Sequence, residues 1–249
     1  MFHRKDKKTV SLSLKPVKDL TAVSIPAQLL SGDKRQTLLM RLKELSALDT
    51  TRFDTLCVSL IHQLTHYCQG LPETTNSYFA RPGGILDYAL NRAEVALQLF
   101  HQYLVQQENT PLSEMQKLWL YALLSACLLK DIGKLQIDYR VQVFDAQGQP
   151  LRLWNPLNES LTAAGSYYQF VFETDSEDKI PLRRQLNLLL AHILMPSKGF
   201  LWIASNPQVL AVWLALLSDD WRAAGTLGAL LVRADAAAIQ RYFNEFILI

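Results

Sequence analysis

The run Leu129-Lys130-Asp131-Ile132-Gly133-Lys134 closes a long apolar stretch and sets one carboxylate among ammonium groups. An aspartate is a hard oxygen donor of the kind that holds divalent cations. A protonated lysine beside it has three donors and no lone pair, so it repels the ion that the aspartate attracts. His62 and His66 stand four residues apart, a spacing that a helix turns into two imidazoles on one face and half of a zinc site. No glutamate follows to act as general base in a His-Glu-x-x-His arrangement, and no Cys/His pair completes the ligand set. Cys68, two residues after His66, points to another side of the helix. The pair therefore reads as satisfied or solvent-facing, and His101 and His192, inside amphipathic patterns, read as core-edge residues.

The elements that must position these groups are mostly helical. A helix is expected from Ser31, its cap, with Leu38, Leu39, Leu42 and Leu45 on one face. A second runs from about Asp49 to Gln69, and the polar loop Pro72 to Pro82 follows. Gly83-Gly84 leads into a third helix with Leu86, Leu90, Ala93, Leu97 and Phe100 inward, and Ser113 caps a fourth that ends near Gly133 as its C-terminal glycine. The period then changes to two. Ile137, Tyr139, Val141 and Val143 alternate with polar residues, Asp145 to Gly148 is a turn, and Leu151 to Trp154 and Tyr167 to Phe172 read as further strands. Helices resume at about 181–194, 207–217, 222–232 and 235–246. The fold class is mainly α, a helical bundle with a small antiparallel β insert at about 137–173. Residues 1–30 form a basic arm and 31–249 a single domain.

Composition bounds the function. With 249 residues, nearly half apolar, the chain can bury a sizeable core. A net charge of +2 gives no whole-molecule case for nucleic acid. The one basic cluster is Arg4, Lys5, Lys7, Lys8, Lys15 and Lys18, with no apolar signal core behind it. Leu186 to Met195 and Val209 to Leu217 fall short of the roughly 20 residues that cross a bilayer. Cys57, Cys68 and Cys127 are too scattered for a disulfide framework, which suits a reducing cytoplasm.

From about Arg52 to Asp235 the chain resembles the HD-type relaxase domain of conjugative elements, the TraI-like (MobH) family. The landmarks stand in order: Gln69-Gly70-Leu71-Pro72, Arg81-Pro82-Gly83-Gly84-Ile85-Leu86-Asp87-Tyr88, Lys130-Asp131-Ile132-Gly133-Lys134, Tyr139 to Asp145, and Trp154-Asn155-Pro156. The resemblance implies an HD-domain-like bundle carrying a histidine cluster, a further histidine and a His-Asp pair around a metal. Here those places hold Asn76, Ser77, Tyr78 and Phe79, then Tyr88, then Lys130; only Asp131 keeps its identity. Ser77, Tyr78, Tyr88, Lys130 and Asp131 are thus the degenerate form of a metal site.

What the resemblance and its departures imply is a protein without catalytic residues, metal or cofactor. It would act as an accessory or adaptor on protein partners of a type IV secretion or coupling complex, in the cytoplasm or at the edge of an inner-membrane assembly. Asp131 would pair with Lys130, Lys134 or Arg92. Tyr78 and Tyr88, tempting as nucleophiles, have an unperturbed pKa of about 10 and no metal to lower it, so they are expected to fill the vacated space. Asp235 is expected to cap the last helix. Two rival readings remain: a phosphohydrolase or nuclease with a metal on Asp131, Asp87 and His62 or His66, and a DNA-binding domain using the basic arm.

Overall fold

The computed structural model describes residues 17–105, 111–173 and 179–247. Most of the expected basic arm, the acidic loop Asp175 to Asp178 and the last two residues lie outside them. The described part of that arm belongs to the fold. After a short turn at Val17–Asp19, strand β1 (Thr21–Ala22) joins a sheet and helix α1 (Pro26–Leu29) follows, leaving Leu30 buried.

Helix α2 (Asp33–Ser46) is capped one residue later than expected: Gly32 is the N-cap, while Ser31 donates its hydroxyl to the Gln28 carbonyl. The segment expected as one helix from Asp49 is continuous but not uniform. It comprises α3 (Thr50–Phe53), a π turn (Asp54–Val58) and α4 (Ser59–Cys68), and the Asp49 carboxylate accepts the Arg52 N–H as N-cap. Helix α5 (Gly84–Leu104) is the hub, packed against α2, α6 (Glu114–Leu129) and α12 (Trp221–Ile247). A capping box between Ser113 and Gln116 fixes the start of α6. Its end differs from expectation: Lys130 is the C-cap, and Asp131, not Gly133, takes the left-handed conformation at φ 64°.

Gly133 serves a different purpose. A Cβ there would collide with the Arg183 carbonyl and stand 2.8 Å from the Asn187 nitrogen, so glycine allows α9 (Ile180–Leu194) to press directly on the turn after α6. Between them lie α7 (Lys134–Ile137) and the insert, β2 (Tyr139–Phe144), β3 (Pro150–Leu153), α8 (Leu161–Ala164) and β4 (Tyr167–Phe172). The sheet is antiparallel in the order β1-β4-β2-β3, with Val141 opposite Phe170 and Val143 opposite Tyr168. Its inner face packs on the bundle through Tyr139, Val141, Val143 and Tyr168.

The insert braces the loop after α4. The Gly70 N–H donates to the Tyr168 hydroxyl at 2.9 Å, and the Tyr139 hydroxyl donates to the Pro72 carbonyl. The C-terminal helices are α9, α10 (Ser197–Ala204), which the apolar pattern did not reveal, α11 (Pro207–Leu217) and α12. The expected break before Asp235 does not exist. The kink lies at Gly225, φ 54°, where glycine removes the steric cost, and the chain runs on as helix to Ile247. Among the described residues no single helix is long and apolar enough to cross a membrane; only α9 and α10 together, bent by 116°, meet that test.

Candidate functional site: a buried charge cluster

Four segments meet at the C-terminal end of α6. Helix α5 brings Tyr88 and Arg92, the end of α6 brings Lys130 and Asp131, the turn before α12 brings Asp219, and α12 brings Asp235. The helix spacing of four puts Tyr88 above Arg92, with the guanidinium carbon 4.7 Å from the ring centre. Arg92 is 2% exposed, and its donors are satisfied: Nε to the Cys127 carbonyl at 2.8 Å, one terminal nitrogen to the Lys130 carbonyl at 3.1 Å, the other to Asp235 at 3.0 Å. The guanidinium thus caps the orphan carbonyls at the end of α6 and holds a carboxylate on another helix.

Lys130 Nζ lies at the centre. It donates to Asp131 Oδ2 at 2.7 Å and stands 3.6 Å from Asp219 Oδ1 and 3.8 Å from Asp235 Oδ2. Asp131 also faces Arg92 at 3.6 Å. Asp235 accepts a second bond from the Tyr88 hydroxyl at 2.7 Å, and Asp219 is met from outside by Arg184 at 3.2 Å. Beside this cluster Lys134 pairs with the buried Glu73. The left-handed backbone at Asp131 and at Asp219, φ 58°, turns both carboxylates into the cluster at residues that rarely adopt it.

The electrostatics follow from this packing. Burial pushes the Asp131 carboxyl up, but Lys130, then Arg92 and Lys134, outweigh it and hold it well below the usual carboxylate range. Burial pulls the Lys130 ammonium down, yet Asp131, Asp235 and Asp219 raise it above the ordinary lysine value. Lys130 is therefore a protonated cation with no lone pair to offer. The Tyr88 hydroxyl is pushed far above its ordinary value, by burial first and then by the Asp235 carboxylate it bonds. A proton held that firmly does not leave at neutral pH, so Tyr88 is a poor nucleophile.

Above the charges sits an aromatic cluster. Phe79 packs on Tyr88 at 5.3 Å and on Tyr242 at 4.5 Å between ring centres, and Tyr78 covers Tyr88 at 5.4 Å. The space left between Glu73, Arg92, Lys130, Asp131 and Lys134 is about 10 Å³, no more than one small water needs.

The sequence-identified residues divide accordingly. Tyr78, Tyr88, Lys130 and Asp131 come together, and Asp131 pairs with Lys130 and Arg92. Ser77 does not join them: it is exposed in the loop, where its N–H donates to Thr74 Oγ1. Asp87 faces the other way, held by Arg35 at 2.7 Å and Arg81 at 3.2 Å. His62 is exposed, while His66 bonds Thr162 Oγ1 through Nδ1 at 2.7 Å, and burial, then His62, lowers its affinity for a proton.

The expectation that Asp235 caps a helix is overturned. It lies inside α12 and points its carboxylate at Arg92 and Tyr88. Asp219 escaped the sequence reading because no spacing links residue 219 to residue 130.

The residues present do not fit a metal. The donors that a divalent ion requires are already neutralised by an ammonium and a guanidinium, and among the described residues no three His, Cys, Asp or Glu side chains are arranged to hold one. Comparison with known proteins gives one family: the TraI_2 model, described as “Putative helicase”, matches residues 21–245. No curated protein matches the chain.

Proposed function

Since the chain belongs to this TraI-like family, we propose that it is a non-catalytic member, an accessory or adaptor protein of conjugative DNA transfer. In this reading it acts through protein–protein contacts at a type IV secretion or coupling complex, on the cytoplasmic side. The observation that carries the non-catalytic half is the Lys130 ammonium among the Asp131, Asp219 and Asp235 carboxylates. Metal-assisted hydrolysis needs an ion with an open coordination position, and here a fixed cation and a nearly closed cavity stand in that place. The donors of the alternative enzyme, Asp131, Asp87 and His62 or His66, are not assembled, since Asp87 is committed to Arg35 and Arg81.

The adaptor half is supported by the surface of α9 and α10. Helix α9 buries Leu186, Leu190 and Leu194 yet also exposes Leu182, Leu189 and Ile193, and Leu201 on α10 is 66% exposed. A helix apolar on two faces is matched to burial on both.

The test is affinity purification from the native cell with the wild type and with Leu189→Asp/Leu201→Asp. Both substitutions fall on exposed positions and are expected to change stability by no more than about 0.5 kcal/mol each. One defined protein retained by the wild type and lost from the variant is the expected result. An identical set of retained proteins from both, or metal-dependent phosphodiesterase activity in the wild type, refutes the reading.

A further inference from the structure

We propose that the exposed line of Leu182, Leu189 and Ile193 on α9, with Lys198 at its end, takes an amphipathic helix of the partner protein whose flanks are acidic. This rests on the adaptor reading and goes beyond it by naming the secondary structure and the charge of the segment that docks.

The form of the segment follows from spacing. Leu182, Leu189 and Ile193 are all exposed and stand seven and four residues apart inside α9. At about 100° per residue they fall within about 40° of one another around the helix, and at about 1.5 Å per residue the line they make is about 16 Å long. That is three turns of a second helix laid along it, whose own apolar residues at intervals of three and four interlock with the line. An extended segment gains nothing comparable here, because the main-chain groups of α9 bond within the helix and offer no edge to pair with.

The charge of the segment follows from composition. From Lys179 to Ser218, a stretch that includes α9, α10 and α11, the chain has no Asp or Glu, while Lys179, Arg183, Arg184 and Lys198 are cations. Carboxylates from elsewhere meet Arg183 and Arg184: Asp138 at 2.7 Å and Asp219 at 3.2 Å. Lys198 is exposed and among the described residues has no ion-pair partner. It lies in the first turn of α10, just beyond Ile193, where His192 of α9 meets Phe200 of α10 at 4.7 Å between ring centres. With Trp202, Leu56 and Arg52 it lines a cleft of about 300 Å³ that has no carboxylate in its walls. Arg52, paired with Glu114 at 2.7 Å, covers the Trp202 ring at 4.4 Å. A carboxylate on the flank of the docking helix therefore finds a cation without a partner and no like charge to repel it.

Other occupants fit less well. A second copy of the chain would make a two-fold contact that sets this carboxylate-free face against itself. An anionic bilayer is held by clusters of about four to eight Lys and Arg, and here Arg183 and Arg184 are already engaged.

The experiment is fluorescence anisotropy of the full chain with two synthetic helical peptides of about 18 residues that share one Leu stripe and carry either Glu or Lys on its flanks. The Glu peptide is expected to bind at least about tenfold more tightly than the Lys peptide, with a preference that shrinks as salt is raised. Leu189→Ser/Ile193→Ser is expected to weaken the Glu peptide by at least about tenfold. Lys198→Glu puts a carboxylate in the first turn of α10, where the helix dipole favours it, so the variant folds and its preference between the peptides is expected to shrink or reverse. Equal binding of the two peptides, tighter binding of the Lys peptide, no binding of either up to about 1 mM, or unchanged binding in Leu189→Ser/Ile193→Ser overturns the inference. Sedimentation of the wild type with phosphatidylglycerol vesicles, lost in Leu189→Ser/Ile193→Ser, gives the face to lipid and overturns it too.

The two levels fail separately. If the peptides show no such preference but capture of a protein from the native cell still depends on Leu189 and Leu201, the adaptor reading stands without this partner class; if that dependence is absent as well, both fall.

Discussion

Replacement of Arg92 by methionine probes the cluster at its most buried point. The substitution keeps the apolar stem and removes the guanidinium, leaving Asp235 with only the Tyr88 hydroxyl and the more distant Lys130. The carbonyls of Cys127 and Lys130 lose their side-chain donor at the same time. Removing one partner of a buried ion pair costs about 3 to 5 kcal/mol, and the orphaned carbonyls overlap with that figure rather than adding to it. Because Arg92 is 2% exposed, solvent screening takes little away, and a loss of about 4 kcal/mol is expected. In a chain of this size each kcal/mol moves the midpoint by about 2 to 4 °C, so the expected fall is about 8 to 16 °C. Thermal and urea unfolding followed by circular dichroism measure it. Arg92→Lys restores the charge without the planar fork and should recover less than half of the loss. A midpoint for Arg92→Met within about 1 kcal/mol of the wild type would refute the reasoning, since it would mean that the carboxylate and both carbonyls are hydrated without the guanidinium.

Other substitutions read neighbouring parts of the same arrangement. Tyr88→Phe removes one hydrogen bond to Asp235 and keeps the ring, so a loss of about 1 to 2 kcal/mol in urea unfolding is expected. Gly133→Ala forces a methyl against the backbone of α9 and should cost at least about 2 kcal/mol in urea unfolding. The Asp131 carboxyl is held below its ordinary range, despite its burial, by Lys130, Arg92 and Lys134. A depressed folded-state pKa gives stability that is complete above the unfolded value of about 3.9 and is lost as pH falls through the folded value. Urea midpoints should therefore fall on acidification below about pH 4, and Asp131→Asn should flatten that limb. Burial pushes the thiols of Cys57, Cys68 and Cys127 up to about 12, so an aromatic disulfide reagent at neutral pH should label none of them natively and all of them in denaturant.

Much of the bundle was legible because its signals are local. The Ser113 cap, the Gly83-Gly84 entry to α5 and the alternation from Tyr139 to Val143 each specify their element from a few neighbouring residues. The misplacements share one cause, which is that tertiary contact overrode a local rule. Gly133 looked like a C-cap but is small so that α9 can approach it, and Asp131 took the left-handed turn because its carboxylate is held by Lys130 and Arg92. Gly225, not the Arg233-Ala234-Asp235 stretch, breaks the last helix, which is why Asp235 reaches the cluster from a helix interior. Helix α10 was missed because eight residues give too few turns to show a period. At the site, Lys130, Asp131, Tyr78 and Tyr88 were identified from their places in the family pattern. Arg92 was already expected as a partner of Asp131, whereas Asp219 and Asp235 as partners could be found only once four distant segments were folded together.

The measurement that bears most directly on the non-catalytic reading is the metal content of the wild-type protein. Purified without chelators, then incubated with excess manganese, iron or zinc and desalted, it is analysed by elemental mass spectrometry beside Asp131→Ala. The account predicts no retained metal in either protein. Near-stoichiometric metal in the wild type that disappears in Asp131→Ala would contradict it.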